Sequence, residues 1–423
     1  MAVTAFWSTK ELKMMVFACL HYEGCEADLA RCARVHSTWT EIANDSLWLG
    51  HSKGVWEEGK DHKAVRRNDK MTQAIASLPQ MRRQNFASRV SVLDMTDDYN
   101  GCNGLSAHNM FDGLEFPKLK ALRLQNDHRE TQHGMENFPF SRYLRSTLET
   151  LCVVDESDRL MESLLMNFNE QCPKLKHIFL QVPHEVFRRP DLARFFRSIR
   201  PVKVCLAADE PTNGMFINDL LLALSEGGGL EILVIRGFSD DLRLEHIARM
   251  SQLRLLEIAE SGAGLEMVPL PPKDHIALGT LSQLHTLRLR DSFFPSQHDF
   301  DEADAGAMFS GLSALENLSI NHGWDEPCGS LLRSISLHCP NLTFLEIHIL
   351  HTSVLTEQQA PLFSNLKEIA IDIICTDLSI PETVTLIDTI APVLETLRWS
   401  LPEPMTFTRE VCAAFASLRS FDV

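Results

Sequence analysis

An α/β solenoid is predicted for most of this chain of 423 residues, and two observations carry the prediction. One apolar phrase, Leu-x-x-Leu-x-Leu with other large apolar residues allowed at the Leu positions, recurs about every 27 residues. Stretches with the apolar spacing of a helix separate many of the copies. A fixed period of this size indicates stacked repeats, because one unit is too small to bury its own apolar face. The thirteen phrases, of which the one at 201 is irregular, begin at residues 90, 119, 148, 175, 201, 230, 253, 284, 315, 342, 366, 394 and 418.

Each phrase predicts one short strand. Its last two apolar residues are two positions apart, so both side chains face the same side of an extended chain. The first apolar residue, three positions earlier, enters the same core as the chain turns into the strand. This phrase, at a period of about 20 to 29 residues, is typical of leucine-rich repeats. The predicted fold class is therefore an α/β leucine-rich-repeat solenoid.

Helices are predicted between the strands, where apolar residues recur three or four positions apart. Pro381, preceded by Ser379, is typical of a helix start. The three glycines at 227–229 and the Cys-Pro pairs at 172–173 and 339–340 are typical of helix ends just ahead of the next strand. Each unit is therefore strand, loop, helix, loop. The helical stretches lie at 160–168, 220–224, 331–337, 381–390 and 411–415.

Two other folds alternate strands and helices. A barrel of eight strands and helices closes after eight units, whereas thirteen phrases are present here. A doubly wound nucleotide-binding fold requires a glycine-rich turn directly after its first strand, but the glycines at 227–229 precede a strand instead. The number of phrases and the position of the glycines therefore both favour the open solenoid.

Composition favours a reducing compartment away from the membrane. The eleven cysteines are odd in number and form no Cys-x-x-Cys pair, which suits reduced thiols in the cytoplasm or nucleus. The first ten residues lack the basic and apolar segments of a secretory signal. No apolar run approaches the ~18 residues of a membrane span, so we expect no membrane partner.

The net charge of −17 is unevenly placed along the chain. Residues 51–90 carry a balance of +5, whereas residues 291–423 carry a balance of −14. An acidic half repels a phosphate backbone, so we expect no nucleic-acid partner. The acidic half suits a basic partner surface, although acidic charge that only maintains solubility is the commoner explanation.

The first fifty residues differ from the repeats and predict a small all-α module. Apolar residues form two stripes of helical spacing, and the simplest interpretation is a cap that seals the open end of the solenoid. The first stripe contains Leu12, Met15, Val16, Cys19 and Leu20, and the second contains Leu29, Cys32, Ala33 and Val35.

The same fifty residues closely resemble an F-box. The resemblance covers residues 8–50, and its most specific part is the Leu-x-x-Cys-x-x-Val run that ends in Trp. Two departures are the Ser8-Thr9 pair, where the family has Leu-Pro on its adaptor-docking surface, and His36, where it has a second Cys. The matching residues are Glu11-Leu12, Val16-Phe17, Leu20, Leu29, Cys32, Val35, Trp39 and Leu47-Trp48.

An F-box followed by leucine-rich repeats is similar to the F-box/leucine-rich-repeat proteins. The resemblance implies the substrate-recognition subunit of an SCF-type E3 ubiquitin ligase. In that role the F-box binds a Skp-family adaptor, and through it a cullin scaffold, while the repeats bind an unknown target protein. The chain itself is then not an enzyme, because other subunits transfer ubiquitin. The residues implied in adaptor contact or its supporting core are Leu12, Val16, Phe17, Leu20, Leu29, Val35 and Trp39.

Three domains follow from these patterns: the helical module at 1–50, a basic helical linker or cap at 51–88, and the solenoid at 89–423. The linker contains large apolar residues and no run of Gly and Ser, so we expect it to pack against the first repeat. An alternative is a protein-interaction scaffold without a ligase partner, in which the F-box-like start only caps the solenoid.

No pattern predicts a metal, a cofactor or a catalytic site. The cysteines and histidine between Cys19 and Cys32 do not have the spacing of a common zinc finger. The acidic run from Asp299 to Asp304 lacks the glycine of a calcium loop, and an exposed acidic loop is the simpler interpretation. Nucleophile, phosphate-binding and metalloprotease motifs are all absent from the sequence.

The candidate target-binding surface lies on the concave face of the predicted sheet. In each phrase, the residue between the last two apolar positions and the residue after them are expected to project toward solvent there. Arginines cluster at the middle repeats and are favoured anchors in interfaces, although a solvated charged face is the default interpretation. The candidates are Arg236, Glu257, Arg288, Arg290, Glu346 and His348.

Overall fold

The computed structural model of the chain divides into two compact units, Met1–Pro183 and His184–Val423. The predicted linker up to residue 74, the helix predicted at 411–415, Leu12 and Arg290 lie outside the described residues. The structure describes residues 14–17, 19–20, 26–35, 37–47, 75, 77–96, 111–126, 140–155, 159–167, 172–238, 241–259, 271–289, 301–320, 329–351, 362–375, 380–399 and 420–422.

In its described residues, the first unit contains the N-terminal helices and four parallel strands that pair in chain order. Residues 14–17 and 19–20 are helical and precede the first numbered helix. The elements are α1 Glu26–Val35, α2 Ser37–Leu47, α3 Gln80–Ala87, β1 Val92–Thr96, β2 Ala121–Asn126, α4 Phe140–Tyr143, β3 Thr150–Asp155, α5 Arg159–Asn167 and β4 His177–Val182.

The described part of the second unit contains nine parallel strands, again paired in chain order, with helices between most of them. The elements are α6 His184–Phe187, α7 Pro190–Ser198, β5 Lys203–Thr212, a 3-10 turn Gly214–Ile217, α8 Asn218–Gly227, β6 Ile232–Phe238, α9 Leu244–Ala248, β7 Leu255–Ala259, α10 Pro272–Leu278, β8 Thr286–Leu289, α11 Glu302–Phe309, β9 Asn317–Ile320, α12 Gly329–His338, β10 Phe344–His351, β11 Glu368–Cys375, α13 Ile380–Ile390, β12 Thr396–Trp399 and β13 Ser420–Asp422.

Every apolar phrase of the sequence contains a described strand, so the predicted leucine-rich-repeat solenoid is confirmed. The strand leucines stack in register from repeat to repeat, as at Leu233, Leu256, Leu287 and Leu318, and all four are fully buried. Alternation places both strand leucines of a phrase on the core side. The stacked leucines therefore form the continuous core that the repeat predicts.

Predicted helix ends are also confirmed where the structure describes them. Helix α8 ends at Gly227, and Gly228 follows with φ of 64°, a left-handed conformation that favours glycine. Helix α12 ends at His338, directly before the Cys339-Pro340 pair. Helix α13 begins at Ile380 with Pro381 in its first turn.

Two glycines allow the helix layer of the second unit to pack at backbone contact. A Cβ atom built on Gly311 would overlap the carbonyl oxygen of Gly279 and would lie 2.7 Å from its carbonyl carbon. A Cβ atom on Gly279 would lie 2.6 Å from the carbonyl oxygen of Met308. Any side chain at either position therefore collides with backbone, which a rotamer change cannot relieve.

The described part of the predicted linker packs within the first unit as expected. The Gln84 amide of α3 donates to the carbonyl oxygen of Glu115 and accepts from its backbone N–H, both at 2.9 Å. Ile75 and Ala87 are fully buried, whereas Met81 is almost fully exposed. The domain boundaries predicted at residues 50 and 88 stay predictions.

Among the described residues, no helix is both long enough and apolar enough to cross a membrane.

Candidate binding surfaces

The N-terminal helices share a small apolar core of their own. Phe17, Leu29 and Ala43 are fully buried at its centre. The rings of Phe17 and Trp39 meet edge to face, with centroids 6.1 Å apart. Other half-buried side chains complete this core, which makes the segment a packed module: Val16, Leu20, Cys32, Ala33 and Ile42.

The first helical segment is apolar on both of its faces. At 100° per residue, Val16, Phe17 and Leu20 fall on one side, and all three belong to the core. Met14 and Met15 fall on the opposite side with exposures of 51% and 65%, and Cys19 is exposed beside them. A helix that buries one apolar face and leaves a second one in solvent is suited to binding a partner.

The predicted adaptor-binding residues therefore divide by role. Phe17 and Leu29 are core residues, because both are fully buried. Val16, Leu20 and Trp39 are partly buried against that core. Val35 lies at the end of α1, where its side chain is not described. The sequence interpretation placed Met15 and Cys19 on one stripe with Val16 and Leu20 and passed over Met14, although the helical angle alone separates the two faces.

Three charged residues on the sheet of the second unit converge as predicted. Glu257 of β7 stands between Arg236 of β6 and Arg288 of β8. Arg236 donates to Glu257 Oε1 from Nη2 at 2.9 Å and from Nε at 3.2 Å. Arg288 Nη1 donates to Glu257 Oε2 at 3.2 Å. Each carboxylate oxygen thus binds a different arginine, and the three residues are called the arginine clamp below.

Burial and charge act in opposite directions on the carboxylate of the clamp. The Glu257 side chain is 8% exposed, while those of Arg236 and Arg288 are 35% and 40% exposed. Burial alone would raise the pKa of Glu257, but the hydrogen bonds and charges of the two arginines outweigh it and hold that pKa below its ordinary value. Glu257 is therefore ionised at neutral pH.

Alanines flank one arginine of the clamp. Ala207 and Ala259 are the register neighbours of Arg236, and both are less than 10% exposed. Two residues before Val234 and Glu257, the half-buried Ile232 and Leu255 lie on the same sheet face by alternation. The sequence interpretation missed this second apolar row, although the same alternation predicts it.

The remaining target-binding candidates have different outcomes. Glu346 of β10 accepts a short hydrogen bond from the hydroxyl of Ser319 on β9. His348 lies in β10 with no description of its side chain, and Arg290 lies outside the described residues. Whether any of these residues binds a target stays a prediction.

Several positions expected to face solvent are in fact buried, which corrects the predicted exposed row. They are less than 10% exposed, so little of each side chain meets solvent. Glu257 is buried as well, because the two arginines cover it. The buried apolar positions are Cys152, Val154, Phe179, Cys205, Ala207 and Val234.

The described part of the acidic run, residues 301–304, forms the start of α11 and includes exposed side chains. Asp301 is the N-cap of α11 and accepts from the backbone N–H of Asp304 at 2.9 Å. The Asp304 carboxylate accepts in return from the backbone N–H of Asp301, which completes a capping box. Within the described ranges no group of three His, Cys, Asp or Glu side chains could hold a metal ion.

We expect Glu257→Gln to destabilise the second unit by about 1–3 kcal/mol, because two arginines lose a buried carboxylate acceptor. Urea unfolding at pH 7 measures the effect. Because the pKa of Glu257 is depressed in the folded state, its contribution is complete above the unfolded value near 4.5 and is lost as pH falls below it. The difference in unfolding free energy between wild type and Glu257→Gln should therefore become smaller below about pH 4.5.

Glu226→Gln is the matched control for that measurement. Glu226 pairs with Arg197 at 3.0 Å, but both side chains are about half exposed. An exposed pair contributes ~1 kcal/mol or less. Equal losses for the two variants would show that burial gives the clamp carboxylate no special role in stability.

The fold makes the chain a leucine-rich-repeat protein, and solved leucine-rich-repeat structures resemble it. A chain of the yeast Rad7 and Elc1 complex is 14% identical, with a TM-score of 0.43 over 86% of this chain and 89% of that one. The protein LegL7 from Legionella pneumophila is 9% identical, with a TM-score of 0.38 over 78% and 97%. The protein LIC12759 from Leptospira interrogans is 13% identical, with a TM-score of 0.39 over 84% and 98%.

No family model and no curated protein matches the chain. At the identities and TM-scores above, the structural likenesses carry no argument about function. The functional assignment therefore rests on the chain's own residues.

Proposed function

We propose that the chain is the substrate-recognition subunit of an SCF-type E3 ubiquitin ligase in the cytoplasm or nucleus. The N-terminal module is the F-box, which binds a Skp-family adaptor and through it a cullin scaffold. The repeats bind the target protein, and the chain performs no catalysis itself. The observation that carries this proposal is the first helical segment, which is apolar on both faces.

Adaptor binding requires a stably folded module and an apolar outer surface, and the two faces of that segment meet these two requirements. Phe17 holds the module together from the inside, so the outer face keeps a fixed shape. Met14 and Met15 place two flexible apolar side chains on the outer face. Unbranched methionines adapt to the shape of a partner surface, and burying each of them in an interface is favourable by ~1.5–3 kcal/mol.

The sheet of the second unit suits the second half of the proposed role. Protein interfaces are enriched in arginine, and the clamp presents two partly exposed arginines held in place by one carboxylate. This surface belongs to the second unit, whereas the F-box belongs to the first. A receptor needs such separate surfaces, because it binds the adaptor and the target at the same time.

We expect the double variant Met14→Glu and Met15→Glu to lose adaptor binding about a hundredfold or more while the module stays folded. The reason is that both side chains are exposed, so charge there leaves the core intact but has to be buried against the adaptor. Co-purification of the tagged chain with a Skp-family adaptor measures the loss. Circular dichroism checks that helix content is unchanged.

Met166→Glu is the matched control, because Met166 lies on α5 of the same unit with an exposure of 69%. We expect it to retain the adaptor. Retention by the Met14 and Met15 double variant would place the docking face elsewhere, and loss by the control as well would indicate a nonspecific effect of charge.

A scaffold in which the module only caps the repeats is the second candidate, and one contact favours it. Arg89, in the turn before β1, donates from Nη1 to the carbonyl oxygen of Glu41 on α2 at 3.3 Å. The module thus contacts the start of the solenoid, as a cap does. In that case no adaptor co-purifies with the wild-type chain.

A further inference from the structure

The outer face of the first helical segment consists of sulfur-containing side chains. Met14 and Met15 are 51% and 65% exposed, and Cys19 is exposed as well. Cys19 follows Met15 by four positions, and positions four apart are neighbours on the surface of a helix. The face that the proposed function assigns to the adaptor is therefore open to solvent-borne reagents that attack sulfur.

A peroxide converts the thioether of methionine into a sulfoxide. The sulfur attacks one peroxide oxygen, so that an S–O bond forms and the O–O bond breaks. The hydroxide that leaves takes the proton of the transferred hydroxyl group and forms water. The sulfur is oxidised by two electrons and the peroxide is reduced by two, and methionine sulfoxide reductases reverse the change.

Oxidation of these two methionines leaves the core of the module unchanged. Its described centre is formed by Phe17, Leu29 and Ala43, and the partly buried side chains around that centre include no methionine. In the repeats, Met161 and Met308 are fully buried and so are shielded from a peroxide in solvent. Oxidation at Met14 and Met15 therefore alters a binding surface and not the packing beneath it.

A sulfoxide on this face opposes the burial that adaptor binding requires. The apolar thioether becomes a polar group, and burying a polar group without a hydrogen-bond partner lowers affinity by about tenfold or more. A bound adaptor covers both sulfur atoms, so the free chain is the form that reacts. Peroxide therefore shifts the chain toward the form without adaptor.

We propose that Met14 and Met15 are a modification site, at which oxidation by a peroxide reversibly prevents the chain from binding its adaptor. The inference rests on the proposed function, because it takes the adaptor to be the partner that covers this face. It adds a means of regulation to that function: a reductant of sulfoxides restores the apolar face and with it adaptor binding.

The test separates a partly oxidised sample of the full-length chain by its ability to bind adaptor. The chain is treated with hydrogen peroxide and passed over an excess of immobilised Skp-family adaptor, and mass spectrometry quantifies sulfoxide in both fractions. Trypsin cleavage after Lys13 and Arg31 gives one peptide in which Met14 and Met15 are the only methionines. We expect sulfoxide in this peptide to be at least about tenfold rarer in the bound fraction than in the unbound one.

Met166 and Met215 are the matched controls within the same molecules, with exposures of 69% and 56%. Met166 lies on α5, and Met215 lies in the 3-10 turn after β5. We expect sulfoxide at both positions to be equally frequent in the two fractions. Equal frequency in the peptide with Met14 and Met15 would overturn the inference, and so would equal depletion at the two controls.

The thiol of Cys19 is distinguished from the two methionines by reduction of the unbound fraction. One portion receives dithiothreitol alone, and the other receives dithiothreitol with methionine sulfoxide reductases for both sulfoxide epimers. We expect adaptor binding to return only in the second portion. Its return with dithiothreitol alone would assign the effect to a thiol and overturn the inference.

Failure of the proposed function gives a different result in the same experiment. An untreated, folded chain that the adaptor does not retain would overturn the proposed function together with this inference. If the adaptor retains the untreated chain and the chain with sulfoxide at Met14 and Met15 equally well, the inference fails and the proposed function stands.

Discussion

Gly311→Ala is expected to prevent the second unit from folding normally, with a loss of more than about 3 kcal/mol of unfolding free energy. A methyl group at this position overlaps the carbonyl oxygen of Gly279 and lies 2.7 Å from its carbonyl carbon. Both colliding groups are backbone, so relief requires α10 and α11 to separate. Separation would expose the fully buried Leu281, Met308 and Phe309 near the same helix ends. Chemical denaturation followed by circular dichroism measures the effect.

Gly306→Ala is the matched control, since it makes the same change within α11. A Cβ atom at Gly306 comes no closer than 3.9 Å to its nearest neighbour, Nε2 of His338. Alanine in a helix is favoured over glycine by about 0.5–1 kcal/mol, so this variant should be slightly more stable than wild type. If Gly311→Ala were as stable as Gly306→Ala, the backbone contact between the two helix ends would be wrong.

Phe17→Ala is expected to unfold the N-terminal module and abolish adaptor binding while the repeats stay folded. Phe17 is fully buried and contacts Trp39 edge to face, and a buried Phe→Ala change costs about 3–5 kcal/mol. The described part of the module has one small core, whereas the repeats share a core along many strands. Hydrogen exchange should therefore accelerate in residues 26–47 and stay slow in β2 and β3.

Met15→Ala provides the comparison for stability, because Met15 is 65% exposed and contributes little to the core. We expect its hydrogen exchange to match wild type. Unfolding of β2 and β3 together with the module in the Phe17 variant would contradict this account and favour the module as an essential cap.

The fold could be predicted from the sequence because one short phrase carries most of its information. Leu284, Leu287 and Leu289 are apolar at fixed spacing, and all three are buried. Phrases like this one determine where each strand lies in the chain and how it aligns with its neighbours. The close approach of Gly279 and Gly311 could not be predicted, since it depends on how two helices meet in three dimensions.

The candidate site was predicted in part. The convergence of Arg236, Glu257 and Arg288 followed from neighbouring strands that lie about 5 Å apart. The burial of Glu257 could not be predicted in this way, because it depends on how the two arginine side chains cover it. The apolar row at Ile232 and Leu255 could have been predicted from the sequence, because strand alternation places three side chains of each strand on the outward face.

The N-terminal module was also predicted only in part. Helical spacing identifies its apolar residues, but the sequence interpretation assigned them to a single stripe, whereas the helix has two apolar faces. The helical angle separates Phe17 from Met14 and Met15, and packing shows that Phe17 supports the module while the methionines lie on its surface. Met14 and Met15, both exposed, were therefore residues that the sequence resemblance did not single out.

The central claim is most directly tested by mixing the purified full-length chain with a purified Skp-family adaptor and measuring the mass of the product by light scattering after size exclusion. The account predicts a stable complex of one chain with one adaptor, which disappears in the Met14→Glu and Met15→Glu variant. Two separate peaks for a wild-type chain shown to be folded by circular dichroism would contradict it.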